Sequence, residues 1–551
     1  MYPDPKILET AFVQKKVHIL KSPDKLSPGK LILLSVVFLI LFDNLSFFIK
    51  FTDDYPVTPT NIMYLFSVGV VLASLLILLF TLFRSRYTTK PILILIMILS
   101  SIASYFMNDY SIVIDSSMIQ NIVQTNARES MELFNFKLFL YFLFLGVLPS
   151  ILIYTVALKY GSFRKELLAK LKIIGISLII IISILLTFGK FYMSFFREHK
   201  PLKYYINPTG YLLAAGKYLV NSFGTGDPTL KPIGTDATIQ PTDADRELII
   251  LVVGEAVRAD HLSLNGYTRQ TTPLLQSEDI VNFPEMYSCG TSTAVSVPCM
   301  FSIFRREDYS DKISKSHENL LDVLHHAGVN ILWRDNNSDS KGTALRVPYE
   351  DYKSPSVNPI CDDECRDEGM LVGLQEYIDR TNYGDILIVL HQMGNHGPAY
   401  FKRYPSEFEK FTPVCKTNQL ENCSREEIGN AYDNAVLYTD YFLSKVISLL
   451  KQNEKIFESA MVYISDHGES IGENNLYLHG LPYFMAPDSQ KHVGAVMWFG
   501  NSFKIDKKAL KEKSTKTFSQ DYLFHTILGL LEVDTSIYDK TLDILSSVTK
   551  R

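Results

Sequence analysis

Five apolar runs crowd the first two hundred residues: roughly Leu31–Ile49, Ile62–Phe83, Pro91–Met107, Phe136–Leu158 and Ile173–Phe195. They are apolar on every face rather than along one stripe. Most reach the about 20 residues that a helix needs to cross a bilayer. The third is the shortest, and Asp43 and Asn44 make the first the most polar. A soluble core would not present five such helices in succession, so the pattern predicts five membrane spans.

Beyond residue 200 the pattern changes. In 201–246, "NPTGYLLAAGKYLVNSFG" predicts a short amphipathic helix on the membrane surface, and "GTGDPTLKPIGTDATIQPTDAD" predicts an exposed linker of turn formers. Then short apolar runs ("RELIILVVG", "GVNILWRD", "GDILIVLHQ", "SAMVYISDHG", "VGAVMWFG") alternate with helical periodicity, as in "HENLLDVLHHAG" and "IGNAYDNAVLYTDYFLSKVISLLKQN". Continuous apolar runs suit strands buried on both faces, and the alternation predicts an α/β domain with a mostly parallel sheet. The expected division is a membrane domain over 1–200 with an external loop at 108–135, a connector over 201–246, and an α/β domain over 247–551.

Composition adds little until it is divided by region. The chain has 551 residues, 47% of them hydrophobic, and a net charge of −5. The distribution of basic residues is more informative. Lys6, Lys15, Lys16, Lys21, Lys25 and Lys30 precede the first run; Arg84, Arg86 and Lys90 follow the second; Lys159, Arg164, Lys165, Lys170 and Lys172 follow the fourth. "TDDYPVTPT" has no Lys or Arg, and 108–135 has only Arg128. The positive-inside rule then predicts a cytoplasmic N-terminus and an external α/β domain. The start of the chain lacks the short apolar core and cleavage site of a signal peptide, so the first helix is expected to stay as an anchor.

The six cysteines, Cys289, Cys299, Cys361, Cys365, Cys415 and Cys423, all fall in the predicted external part. Neighbouring pairs there suggest disulfides, which persist outside the cytoplasm. Their spacings do not fit a zinc cluster. Connectivity is not fixed by sequence, and nearest-neighbour pairing is the economical expectation.

In parallel sheets functional groups collect beyond the carboxyl ends of strands, a rule that singles out Glu255, Asp335, His391, His396, Asp466 and His467. Asp466 and His467 follow a strand and precede Gly468; the pair is a metal-site candidate, or merely a hydrogen-bonded turn. Glu255 is a third ligand candidate, or a cap on a following helix. Two carboxylates and an imidazole suit Zn²⁺, which takes four N and O donors. A hydroxyl can be the fourth, because the ion lowers its pKa and makes it a nucleophile. "CGTSTAVSVPC", residues 289–299, offers Thr291, Ser292, Thr293 and Ser296. Spacing does not choose between Thr291 and Thr293.

These motifs together resemble the lipid A phosphoethanolamine transferase family, which includes the mobile colistin-resistance enzymes of Gram-negative bacteria. The resemblance rests on "VVGEAVRADHLSLNGY", "SCGTSTAVSVPCMFS", "WRDNNSDSKG", "HQMGNHGPAY" and "ISDHGESIGENNLYLHG", in that order, with the five apolar runs and three cysteine pairs. It spans nearly the whole chain. It implies an alkaline-phosphatase-like (sulfatase-like) α/β domain in the periplasm, carried by an inner-membrane anchor. It selects Thr293 as nucleophile and implies zinc ligation by Glu255, Thr293, Asp466 and His467. His396 and His479 match histidines that bind substrate or a second metal ion; on the residues alone they read as ordinary loop histidines. Asn337, Ser338 and Lys341 match a polar substrate pocket, although Lys341 by itself reads as a solvated lysine. In "MIQNIVQTNARES", Asn121, Thr125 and Glu129 share one face of a helix by spacing. That is a solvated stripe on its own, and a phosphoethanolamine headgroup contact by resemblance.

The implied reaction is zinc-dependent transfer of phosphoethanolamine from phosphatidylethanolamine to a lipid A phosphate through a phospho-threonine intermediate. One tightly bound Zn²⁺ is expected, with additional zinc an open alternative. The partners expected are these two lipids and the surrounding membrane, with no nucleic acid, and the chain is expected to be a monomer. A core sugar or another glycan as acceptor, or a related phosphoglycerol transfer, stays open. A non-catalytic receptor would not need to keep all four ligand residues.

Overall fold

The computed structural model describes residues 25–125, 127–223, 230–240 and 245–549. Lys6, Lys15, Lys16 and Lys21, which entered the orientation argument, lie outside them, as does the side chain of Glu129. The chain forms two compact units, one of residues 1–105 with 136–209, the other of 106–135 with 210–551.

Among the described residues, the first unit has four helices long and apolar enough to cross a membrane: Pro59–Leu82, Thr89–Asp109, Phe136–Thr155 and Phe163–Thr187. A fifth span arises only if Pro28–Asp43 and Leu45–Asp54, bent by 58°, count as one. The first apolar run is therefore a broken helix, and its polar residues are the reason. Asn44 Nδ2 donates to the Asn207 carbonyl at 2.8 Å, and Asn207 N–H returns a bond to Asn44 Oδ1 at 2.9 Å. Asn207 Nδ2 also donates to the Ser100 carbonyl at 3.2 Å. These amides satisfy backbone groups that a bend would otherwise strand. The last span begins at Phe163, ten residues before the expected start, so Arg164, Lys165, Lys170 and Lys172 ride on the helix rather than in a loop. Long basic side chains at a helix end keep their heads in water while the stems stay apolar.

The second unit is built on a seven-stranded sheet. Its strands are β1 (Glu247–Gly254), β2 (Ile280–Asn282), β3 (Asn330–Asp335), β4 (Tyr349–Asp351), β5 (Ile386–His391), β6 (Glu458–Ser465) and β7 (Ala495–Phe499). The order across the sheet is β2-β7-β6-β1-β5-β3-β4. β1 runs parallel to both neighbours, and β7 runs antiparallel to β6 and β2. Every residue of β1 is buried, and alternate side chains enter different cores. Ile249, Leu251 and Val253 join one with Val297, Leu320, Phe524 and Ile527, whereas Leu248, Ile250 and Val252 join another with Phe442, Val446 and Leu450. Helices thus cover both faces, which is why the strands read as unbroken apolar runs.

Four helices position the site. They are α1 (Ser116–Gln124), α2 (Ala127–Glu132), α3 (Thr293–Met300) and α4 (Arg425–Asn453). α4 opens on a capping box of Ser424 and Glu427 and lays its apolar stripe on the second core. α1 and α2 belong to the segment 106–135, which groups with this unit, whereas the sequence reading placed 108–135 in the membrane domain. Gln120 Nε2 donates to Asp311 Oδ1 at 3.1 Å, and Ser111 Oγ donates to the Asn475 carbonyl at 3.2 Å. Polar bonds of this kind are invisible to a hydropathy reading. The helix carrying Asn121 is also shorter than expected. It ends at Gln124, and Thr125 is extended (φ −68°, ψ 132°), so Thr125 and Glu129 do not continue one face.

In the connector, Thr209–Phe223 is helical as expected. The following stretch is not a free linker where it is described. Ala237 is buried in the first core, Ile233 and Ile239 pack on it, and Thr238–Ile239 pairs with Val533–Asp534. Turn formers mark direction changes, not exposure, and Ile233, Ala237 and Ile239 among them find the core.

Candidate active site

β1 and β6 lie side by side, so the residues just past their ends meet. Glu255 follows β1, and Asp466 and His467 follow β6; all three are fully buried. Asp466 Oδ1 accepts from the N–H groups of Ala256 and His467, at 3.1 and 2.7 Å. His467 Nδ1 faces the Gly468 carbonyl at 2.8 Å, which places a proton on Nδ1 and turns Nε2 toward the carboxylates. That Nε2 lies 3.2 Å from Glu255 Oε1 and 3.3 Å from Asp466 Oδ2.

The fourth corner comes from "CGTSTAVSVPC". A disulfide joins Cys289 to Cys299, and α3 runs inside the loop it closes. Thr291 Oγ1 donates to the Leu481 carbonyl at 2.6 Å, and Ser296 Oγ accepts from Gly290 N–H at 3.0 Å, so both are engaged elsewhere. Thr293, the first residue of α3, points its Oγ1 at Glu255 Oε2 (3.0 Å) and His467 Nε2 (3.3 Å). Of the two threonines between which spacing did not choose, Thr293 is the one whose hydroxyl faces Glu255 and His467.

These distances test whether zinc fits. A tetrahedral ion with bonds of about 2.0 Å sets its ligand atoms about 3.3 Å apart. The three gaps from His467 Nε2, to Glu255 Oε1, Asp466 Oδ2 and Thr293 Oγ1, match that edge. Glu255 Oε1 and Asp466 Oδ2 are buried with no hydrogen bond, as oxygens meant for an ion would be. The charges agree. Burial raises the Glu255 carboxyl, but His467 outweighs it and holds the group well below its ordinary value. Burial and the Glu255 carboxylate push Asp466 up to about 6. Burial lowers His467, yet Asp466 and Glu255 lift it to about 10. Two buried carboxylates against one imidazole leave an excess of negative charge that a divalent cation removes.

A cavity of about 170 Å³ opens beside Thr293. It is lined by polar residues, among them Asn121, Thr125, Ser338, Lys341, His396 and His479, and by apolar ones, among them Ile112, Ile114, Met118, Ile122 and Leu133. The His479 ring centroid is 4.2 Å from that of His467 and 5.8 Å from that of His396. Burial pushes His396 down to about 3, so its imidazole is neutral. Gly480 turns the chain here at φ +88°, in the left-handed region that favours glycine.

Asn337, for which the resemblance implied a place in the substrate pocket, hydrogen-bonds Glu255. It is fully buried, and Nδ2 donates to Glu255 Oε2 at 2.8 Å and to the Gln392 carbonyl at 2.7 Å. With its donors spent, it orients the metal-ligand candidate Glu255. Asp335 and His391 also stand apart from the cavity, paired at 2.8 Å inside the domain.

Sequence reasoning missed two residues. Glu469, fully buried, accepts from His479 Nδ1 at 3.1 Å. Its place in "SDHGES" was a usable signal, since an acidic residue so near a ligand pair often orients a histidine. Gln520 accepts from Cys289 N–H at 2.7 Å and donates to the Ser465 and Asp466 carbonyls, both at 2.8 Å. It ties the disulfide loop to the end of β6, and nothing local in sequence marks it. Two further disulfides join Cys361 to Cys365 and Cys415 to Cys423.

Comparison with known proteins first defines the class. A family model described as sulfatase matches residues 247–533, and the α/β unit has that sulfatase-like fold. A model described as phosphoethanolamine transferase EptA/EptB matches residues 72–223. The chain is 43% identical to phosphatidylethanolamine transferase Mcr-2 of Escherichia coli over 92% of its own length and 96% of that protein. It is 38% identical to phosphoethanolamine transferase EptA of Escherichia coli K12, covering 94% and 96%. The solved integral membrane lipooligosaccharide phosphoethanolamine transferase A of Neisseria meningitidis superposes with a TM-score of 0.92 at 37% identity, covering 96% of this chain and all of that one. The chain belongs to the EptA/EptB phosphoethanolamine transferase family.

Proposed function

We propose that this chain transfers phosphoethanolamine from phosphatidylethanolamine to a lipid A phosphate, with Thr293 as nucleophile, on the periplasmic face of the inner membrane. The N-terminus is cytoplasmic in this reading, and the chain acts as a monomer. The observation that carries it is Thr293 Oγ1, which faces Glu255 and His467 beside a cavity lined by both polar and apolar side chains. That cavity suits a zwitterionic headgroup on a glycerolipid.

Glu255, Asp466, His467 and Thr293 are the residues that would hold Zn²⁺. Bound there, the ion supplies Lewis acidity: it lowers the pKa of the hydroxyl and offsets charge on the phosphoryl group. In the first half-reaction Thr293 Oγ1 gives up its proton and bonds to phosphorus. The bond from phosphorus to the glycerol oxygen breaks, and diacylglycerol leaves with a proton. His479 is placed to carry that proton, because Glu469 holds its Nδ1 and leaves Nε2 for the cavity it lines. In the first turn of α3 the Val295 N–H is bonded to the Ser292 carbonyl, and those of Thr293 and Ala294 can hold a phosphoryl oxygen. Ser338 and Lys341 line the same cavity and supply further donors. In the second half-reaction a lipid A phosphate oxygen attacks phosphorus and Thr293 Oγ1 leaves. Modified lipid A carries an added amine and loses attraction for cationic peptides such as colistin.

Mass spectrometry supplies the test. Cells expressing the chain should yield lipid A heavier by one phosphoethanolamine, and Thr293→Ala should abolish both that product and the enzyme adduct formed with phosphatidylethanolamine. An adduct on the alanine variant refutes the nucleophile; a modified core sugar with unmodified lipid A refutes the acceptor.

A further inference from the structure

Arg403 lies beyond the cavity and has no part in the chemistry above. Its guanidinium is 1% exposed, yet it binds three different segments of the chain. Nε donates to the His396 carbonyl at 2.6 Å. Nη1 donates to both oxygens of Glu364 at 2.6 Å, and Nη2 donates to Glu132 Oε2 at 2.5 Å. Glu364 sits in the short ring closed by Cys361 and Cys365. Glu132 ends α2, on the segment that brings Asn121 and Thr125 to the cavity. The Asn418 side chain adds a bond to the Glu132 carbonyl.

The three ties are not equivalent. Glu364 alone neutralises the guanidinium, and the disulfide ring around it gives that arm a fixed base. Glu132 is a second carboxylate on a charge already satisfied. If it lets go, Arg403 keeps an ion partner, so release does not strand a bare buried cation, the outcome that makes breaking most buried pairs costly. Glu132 is also the more exposed of the two carboxylates, with side-chain exposures of 9% against 4%. The arrangement has one permanent arm and one releasable arm.

We propose that Arg403 is a positioning residue that latches the segment 106–135 to the His396 loop through Glu132, and that this latch sets affinity for the donor lipid. The latch acts on Asn121 and Thr125, which line the cavity, and leaves the Thr293 corner untouched. The affinity part rests on the donor assignment above; the latch itself does not.

Glu132→Gln in the full-length, zinc-loaded protein is the test, because it removes the charge and preserves shape. The KM for phosphatidylethanolamine should rise on the order of tenfold with kcat little changed, the signature of lost binding rather than lost chemistry. Adding Asn121→Ala to this variant should then cost much less than Asn121→Ala alone, since both act through one wall. In substrate-free protein, amides of 116–124 should exchange faster with solvent while those of β1 and β5 stay as in the parent. Unaltered exchange in 116–124, or a fall in kcat at constant KM, overturns the latch. Parent protein that is inert toward phosphatidylethanolamine overturns the donor assignment instead, and the exchange result still decides the latch.

Discussion

Replacing Asn337 by alanine separates support of the metal from contact with the substrate. The amide makes two donations from a fully buried position, to Glu255 Oε2 at 2.8 Å and the Gln392 carbonyl at 2.7 Å, and its Oδ1 accepts from Ser338 N–H at 2.5 Å. Alanine removes a hydrogen bond to a charged group, worth about 1.5–3 kcal/mol, and leaves Glu255 free to turn. Loss of an outer partner of a ligand weakens metal binding by about 10- to 100-fold, or about 1.4–2.8 kcal/mol. Competition for zinc against a fluorescent chelator, on the full-length protein, should show a dissociation constant raised by that factor. Ser338→Ala is the control, because Ser338 lines the cavity. It should leave zinc affinity alone and raise the donor KM. If Asn337→Ala binds zinc within about twofold of the parent and only its KM rises, the reasoning from hydrogen bonds fails and the substrate role implied by resemblance stands.

Three further outcomes are expected. Glu469→Gln keeps an acceptor for His479 but removes the charge, so kcat should fall about 10- to 100-fold with the donor KM unchanged; steady-state kinetics decide, and an unchanged kcat dismisses His479 as proton carrier. Replacing Cys289 and Cys299 together by alanine opens a loop of ten residues and should cost about 3 kcal/mol in thermal unfolding; equal melting temperatures would show that the bridge adds nothing. His525 is pushed down to about 4 by burial, and its Nδ1 accepts from Asp539 N–H at 3.2 Å. Its folded pKa lies below the unfolded value, so the unfolded state binds more protons as pH falls. Stability should be level above about pH 6.5 and lose at most about 2 kcal/mol by pH 5, less whatever water access screens. Melting curves at both pH values should show this loss shrinking in His525→Asn, and parallel curves for the two proteins would refute it.

The sheet was legible because strands buried on both faces leave a signature of composition as well as of period. All five quoted apolar runs became strands, and the residues past β1 and β6 formed the metal-site candidate. What escaped was carried by polar side chains acting at a distance in sequence. Asn44 and Asn207 break the first helix through bonds spanning 163 positions. Gln120 and Ser111 draw a segment that reads as a membrane loop onto the α/β unit. Asn337 sits in a motif of substrate residues, yet its burial assigns it to Glu255. Hydropathy and spacing report which residues leave water, and they are silent on where a buried amide spends its donors.

Gln520 fixes when the centre can exist. Its amide bridges Cys289 to the carbonyls of Ser465 and Asp466, the first of these bonds reaching across 231 positions. Until Gln520 has been made, the disulfide loop and the end of β6 lack the side chain that joins them, however early Glu255 and Thr293 emerge. Contacts so distant along the chain form slowly. A chain truncated just before Gln520 would keep Glu255, Thr293, Asp466 and His467 and lose the amide that ties the loop of Thr293 to the strand before Asp466.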